Sequence, residues 1–427
     1  MPPRATFRDV FAVREFRALW FSEILSVAGD RLALVALTLL VFQHTGSPLL
    51  AAIAYAAGYL PWVIGGLFLA EHADRRPRRS VMVACDVIRA ILVATMAIPR
   101  VPIWALVVLL FATTMFAPPF ESARAAITPD ILQGERYALG TAVIQTTFLA
   151  GQTIGAVAGG VAVAFVGVRS ALAIDAVTFV LSALFIRLGI QARPAATGRE
   201  TGQPSVLARM RGGFGLLFRD RALRILLLFG WLVAFYTIPE GVAAPYAARL
   251  GGGSIATGLI LASTVFSTAI VTPLFTRLVR PRRRLAWMGP LAVLTCGTLV
   301  GTALHPGLAA SLVIFSLSAA FGVYQLAANT AFVERVHGDR RAQAFGFANA
   351  GLVAGQGAAF ALAGAAAEVV PPSTVIAVAG GLGALAACGL TLRWRGISPA
   401  VGRHSARHLS RQASPARQTP VRAARSH

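Results

Sequence analysis

The chain has 427 residues, 56% hydrophobic and 13% charged, with a mean hydropathy of +0.69. That excludes an ordinary water-soluble domain and places most of the chain in lipid. A formal net charge of +22 would suit nucleic acid, but the basic residues fall in the gaps between apolar runs, so they read as a topology signal and no nucleic-acid partner is expected. All 39 basic residues are arginine. Cys85, Cys296 and Cys388 lie inside apolar runs, which excludes a disulfide framework and a clustered zinc motif on spacing. No metal or organic cofactor is expected.

Residues 1–18 mix Arg4, Arg8, Arg14 and Arg17 with Phe7, Val10, Phe11 and Val13, the pattern of a short amphipathic segment on a membrane surface. The run that follows is too long for a cleavable signal and lacks a small-residue cleavage site, so it is expected to remain as a helix. Runs of ~20 apolar residues cross the hydrocarbon core as helices. They are predicted at 19–42, 49–70, 80–98, 103–120, 139–166 and 171–190, then at 225–246, 255–278, 285–304, 308–326, 342–367 and 375–392. The expected fold is therefore an all-α integral membrane protein of twelve spans, six in 19–190 and six in 225–392. A linker at 191–224 joins them, with an amphipathic helix around Val206 to Phe218. The runs lack the alternation of a β-barrel. Residues 393–427, rich in Arg, Ser, Pro and Ala, read as a disordered tail held near anionic headgroups.

Arginines crowd the even-numbered connections (Arg75, Arg76, Arg78 and Arg79; Arg124 and Arg136; 193–221; 277–284; 335–341) and nearly vanish from the odd-numbered ones. This predicts a multi-pass protein of the cell membrane with both termini cytoplasmic.

The halves are copies. Arg-Pro-Arg-Arg at 76–79 returns at 280–283, a displacement of 204. At that displacement Gly134, Arg136 and Ala138 map onto Gly338, Arg340 and Ala342, Ala150, Gly151 and Gln152 onto Ala354, Gly355 and Gln356, and Gly160 onto Gly364. Parallel six-helix halves of this kind place substrate near the midplane between them.

The loop 70–79 resembles the signature of the major facilitator superfamily, Gly-x-x-x-Asp-Arg-x-Gly-Arg-Arg, with Asp74, Arg75, Arg78 and Arg79 in its charged places, and with Ala70 and Pro77 in place of its glycines. Gly151, Gly155, Gly159 and Gly160 in the fifth span resemble the antiporter motif of the drug exporters, although Ala156 stands where that motif has proline. Phe16-Arg-Ala-Leu-Trp20, Gly29-Asp30, Glu121-Ser-Ala-Arg124 and Thr128-Pro-Asp130 are similar to the branch of siderophore and macrolide exporters. The resemblance implies that Asp74 latches the inward side of the closed transporter against the eleventh span. It also implies an arginine inside the fourth span, which 103–119 lacks. The arginines of the loop serve topology as well, and glycines at intervals of four serve close helix packing in their own right.

Ionisable residues inside spans cost ~2.5–3.5 kcal/mol each to insert, so they mark function or a buried partner. Glu23 and Asp30 are seven apart on one face of the first span, while Arg31 points about 100° away from Asp30 and does not pair with it. Ile238-Pro-Glu240-Gly puts a carboxylate where proline distorts the seventh span. Asp30, Glu240 and Glu23 are the candidate proton or substrate carboxylates. Asp86 and Arg89, three apart, are a candidate structural ion pair. Asp175 is expected near the outer end of the sixth span, within reach of water. Aromatics such as Trp20, Phe21, Trp62, Phe235 and Tyr236 face lipid by default.

These features predict a secondary active transporter that is not an enzyme: a monomer in the lipid bilayer, with the proton gradient as its energy source, exporting an apolar or amphipathic small molecule of drug, macrolide or siderophore type by alternating access. Uptake of a small metabolite and a non-transporting receptor are the other readings. No nucleotide-binding loop, metal-spaced histidines or nucleophile turn supports a soluble enzyme.

Overall fold

The structure is a computed structural model and describes residues 6–59, 61, 76–193, 206–336 and 340–396. Among these residues every regular element is helical, and ten helices are long and apolar enough to cross a membrane. The longest, Glu135–Gly189, contains two predicted spans and reverses at Gly167, whose φ of 79° only glycine adopts without strain. Of the predicted second span only Pro48–Ala56 is a described helix, started by Ser47, whose side chain accepts from the Leu50 N–H.

Most spans begin or end where the apolar runs do, but three differ instructively. The first starts at Arg14, directly after a one-turn amphipathic helix, Phe7–Phe11, closed by a Thr6–Asp9 capping box. The fourth does not stop at residue 120. Pro118 and Pro119 sit in the first turn of a second helical segment, where a missing N–H is harmless, and helix continues to Ile131. The seventh is divided into Arg221–Trp231, Val233–Tyr236, Ile238–Gly241 and Ala243–Arg249, as the proline and glycine at 239 and 241 predict. Within the linker, Val206–Arg219 is helical.

Packing differs between the two ends of the bundle. At the arginine-poor end one apolar core runs through both halves, from Val35, Leu37 and Leu40 to Val242, Tyr246, Ile260 and Phe360. At the arginine-rich end there are two separate cores. One joins Val10, Phe16, Met82, Ile127 and Ile186 of the first half, the other Leu223, Met288, Tyr324 and Trp394 of the second. Two glycines close the shared end. A Cβ at Gly160 would lie 2.5 Å from the Ser254 carbonyl oxygen and 3.1 Å from Gly258 Cα, and one at Gly364 would lie 2.6 Å from Ala52 Cβ and 2.9 Å from Leu49 Cα. These two glycines are one of the pairs related by the 204-residue repeat. Each brings its span against the opposite half.

Candidate functional site

The break in the seventh span delivers Glu240 to the seam between the halves. Pro239 cannot donate to the helix ladder, and Gly241 lets the Phe360 ring of the eleventh span approach so closely that a Cβ would fall 2.6 Å from it. Glu240 Oε2 then accepts from the hydroxyls of Tyr55 (3.0 Å) and Tyr59 (3.2 Å) on the other half, and Oε1 accepts from Thr264 at 3.4 Å. Tyr59 in turn accepts from Arg31 Nη1 at 3.3 Å. The rings of Tyr55 and Tyr59 stand against Phe360 at 5.3 and 5.6 Å.

This arrangement has a proton deficit. The two hydroxyls are 3.1 Å apart and each is within 3.2 Å of the same carboxylate oxygen. Three oxygen–oxygen contacts share two hydroxyl protons when Glu240 is ionised, so one contact has no hydrogen in it. A proton on Glu240 completes the ring. The site can therefore hold one more proton without moving its heavy atoms.

The first half carries a separate ionic cluster. Arg89 is buried, hydrogen-bonds and ion-pairs with Asp30, donates to Ser26 Oγ at 2.9 Å, and lies 4.2 Å from the centre of the Phe179 ring. The expected pair with Asp86 is present only at 3.6 Å. Asp86 instead accepts from Ser182 at 2.5 Å, and Ser182 meets Ser22 at 2.8 Å. Asp30 thus pairs with Arg89 of the third span, while Arg31 turns to Tyr59. The expected exposure of Asp175 is corrected, since it is fully buried beside Gly29, where any Cβ would collide with its carboxylate. The missing side chain at Gly29 lets the sixth span press the acid into the interior, where Oδ1 accepts from Thr178 at 3.1 Å.

Glu23, also fully buried, does not join Asp30. Its partner is Arg124 at 2.9 Å, which also ion-pairs with Glu121. The fourth span therefore does contain an arginine, in the part beyond residue 120 that the end of the apolar run assigned to a connection.

Asp30 and Glu240 line a cavity at the seam. A compartment of about 220 Å³ is bounded by Ser26, Asp30, Arg31, Tyr59 and Glu121, and one of about 410 Å³ by Tyr236, Glu240, Thr264, Thr268, Ser318 and Gln325. A neck of about 70 Å³ between Arg31, Tyr55, Tyr59 and Glu240 adjoins both, and Gln152 borders all three. The walls run on to Phe148, Thr272 and Asn329, toward the arginine-rich end where the cores separate. The opposite end is closed by the shared core.

Of the signature loop, Asp74 and Arg75 lie outside the described residues. Arg78 binds Asp130 (2.5 Å) and the Ala126 carbonyl (2.7 Å), and Arg79 the Arg187 carbonyl. All of these contacts stay inside the first half. Gly151, Gly155 and Gly159 face Val27, Ala28 and Leu32 of the first span, whereas Gly160 faces the eighth. Tyr55 and Tyr59 are not among the residues singled out from the sequence, where they fall inside the second apolar run. Their spacing of four, opposite a broken span, was the available signal.

The model of the Major Facilitator Superfamily matches residues 19–338. Macrolide efflux protein A of Streptococcus pyogenes is 20% identical over 235 residues, 54% of this chain and 58% of the relative. Multidrug efflux pump Tap of Mycolicibacterium fortuitum is 28% identical over 235 residues, 53% and 58%. The chain thus spans less than two thirds of the length of these curated relatives. A POT family transporter in complex with a thioalcohol conjugated peptide superposes with a TM-score of 0.72 at 12% identity, covering 91% of this chain and 96% of that one, and a mutant of the nucleoside transporter NupG with 0.66 at 15%, covering 90% and 98%.

Proposed function

The chain belongs to the major facilitator superfamily, and we propose that it is a proton-coupled exporter of an apolar or amphipathic small molecule, working by alternating access in the cell membrane with both termini in the cytoplasm. The observation that carries this reading is Glu240. It stands on one half, is held by two tyrosines of the other, and forms part of a cavity wall. A proton that closes the Glu240–Tyr55–Tyr59 ring strengthens the seam, and a substrate that draws on Glu240 competes for the same atoms, so proton and substrate alternate at one point. Asp30, paired with Arg89 but 39% exposed in its side chain, is the second carboxylate of the cavity. With arginines on the cytoplasmic side, the cavity faces the cytoplasm and the glycine-closed end faces out. Efflux relatives support the direction.

The test is transport in proteoliposomes under an imposed pH gradient, with a panel of macrolides and amphipathic drugs as probes. Wild-type protein should drive substrate against its gradient with counterflow of protons, and Glu240→Gln should abolish the proton dependence. Wild-type proton-coupled flux in Glu240→Gln would remove the proposal.

A further inference from the structure

The lipid-facing surface of the first and sixth spans carries a groove of about 360 Å³ remote from the cavity, within the range of about 300–1,000 Å³ that small-molecule sites occupy. Arg14, Arg17, Ala18 and Phe21 form one stripe of the first span, and Leu181, Leu184, Phe185 and Leu188 the facing stripe of the sixth. Its floor is fixed. Ser22 meets Ser182 at 2.8 Å, Phe21 stacks on Phe185 at 5.5 Å, and Gly189 admits Ala18 where a Cβ would collide.

Charge is confined to the mouth. Arg14 and Arg17 are exposed neighbours on one helix face. Glu15 is turned away, accepting from Arg193 Nη2 and from the Gln191 N–H at 2.7 Å each. Among the described residues no carboxylate lies within ion-pair distance of Arg14 or Arg17, in contrast to Arg78, Arg89, Arg124 and Arg193. Two unpaired cations thus crown an apolar slot at the arginine-rich end of the bundle, where anionic headgroups attract basic side chains.

We propose that this groove binds one anionic glycerophospholipid, its phosphate held between Arg14 and Arg17 and one acyl chain lying along Phe21, Leu184, Phe185 and Leu188. The inference does not depend on the direction or substrate of transport. It is tested by native mass spectrometry of the full-length protein, delipidated in detergent and titrated with phosphatidylglycerol or with phosphatidylcholine of identical chains. One phosphatidylglycerol should be retained in preference to phosphatidylcholine. With each arginine contributing about five-fold, Arg17→Gln should lose roughly five-fold of that preference and Arg14→Gln/Arg17→Gln about 25-fold. Lysine at both positions should keep most of it. Leu184→Trp fills the slot without touching charge and should lower occupancy by either lipid. Equal binding of the two lipids to wild type, or a preference unchanged in Arg17→Gln and in the double variant, would overturn the proposal.

Discussion

Set 204 residues apart, the two halves share a helical plan and part company in charge. Where the first half has Glu23, Asp30, Arg31, Asp86, Arg89, Arg124 and Asp175, the second has Leu227, Ala234, Phe235, Pro290, Val293, Ala328 and Ala379. Its one carboxylate in the cavity wall among the described residues, Glu240, has Ala36 as its counterpart in the first copy. At the seam the halves are equivalent instead, Gly160 and Gly364 each bringing a span against the opposite half. Packing is alike where the halves meet, and polarity differs within them. The first half holds a preset ionic frame. The second offers an apolar, hydroxyl-lined wall with one carboxylate.

That contrast is broken most severely at Arg89. Among the described residues it is the cation ion-paired with Asp30 and Asp86, and its removal strands the buried Asp86 along with the half-exposed Asp30. Arg89→Ala should cost ~3–5 kcal/mol of stability, as for any buried ion network that loses one partner, whereas Val293→Ala at the equivalent position should cost ~1 kcal/mol. Thermal unfolding of both variants in detergent measures the difference, and equal losses would show that the frame is not structural.

Next in size are the tyrosines that carry Glu240 across the seam. A hydrogen bond to a charged group is worth ~1.5–3 kcal/mol, so Tyr55→Phe and Tyr59→Phe should each weaken the proposed coupling of protons to transport by about 10-fold or more. Tyr59→Phe should be the worse, because it also frees Arg31. Initial rates against an imposed pH gradient test this ranking, and a worse Tyr55→Phe would place Arg31 outside the mechanism. Gly160→Ala and Gly364→Ala should each cost ~1–3 kcal/mol by overpacking, moving the population roughly 5- to 150-fold toward a state open at the arginine-poor end. Cysteine labelling from that side reads the shift. A response in one glycine alone would break the symmetry of the seam.

Much of this was legible before any coordinates. Apolar run length located the spans that the described residues show, arginine spacing predicted their sense, and the repeat pointed to Gly160 and Gly364 as a pair. What escaped was partnership between spans. Nothing in the spacing of Asp86 and Arg89 says that Arg89 makes its hydrogen bonds to Asp30 and Ser26, because that choice depends on how the first and third spans rotate against each other. Asp175 read as accessible from its depth in the chain, but burial is decided by the missing side chain at Gly29. Arg124 read as a loop residue because the apolar run ends at Phe120, and Pro118 and Pro119 do not stop the helix before it. In the first turn of a renewed helix they are a start.

The smallest effect concerns the surface of the seam at the arginine-poor end, where a connection of the second half meets the first. Glu368, in the connection between the eleventh and twelfth spans, accepts from Ser47 Oγ (2.5 Å) and the Leu49 N–H (3.0 Å) of the first half. The Ser47 hydroxyl first, and the Leu49 N–H second, hold its carboxyl below the ordinary glutamate range. A lowered folded-state value means that the contact is fully present above the ordinary glutamate value of about 4.3 and is lost as pH falls through the folded value beneath it. Acid on that side should therefore loosen the seam, and Glu368→Gln should reproduce the loosened state at neutral pH with no further change on acidification. The carboxyl is exposed, so salt should shrink the effect. The distance between spin labels placed at the exposed Leu50 and Val369, followed from pH 7 to 3 in both proteins, separates this contact from the glycine seal, which has no titratable group and should not respond to pH at all.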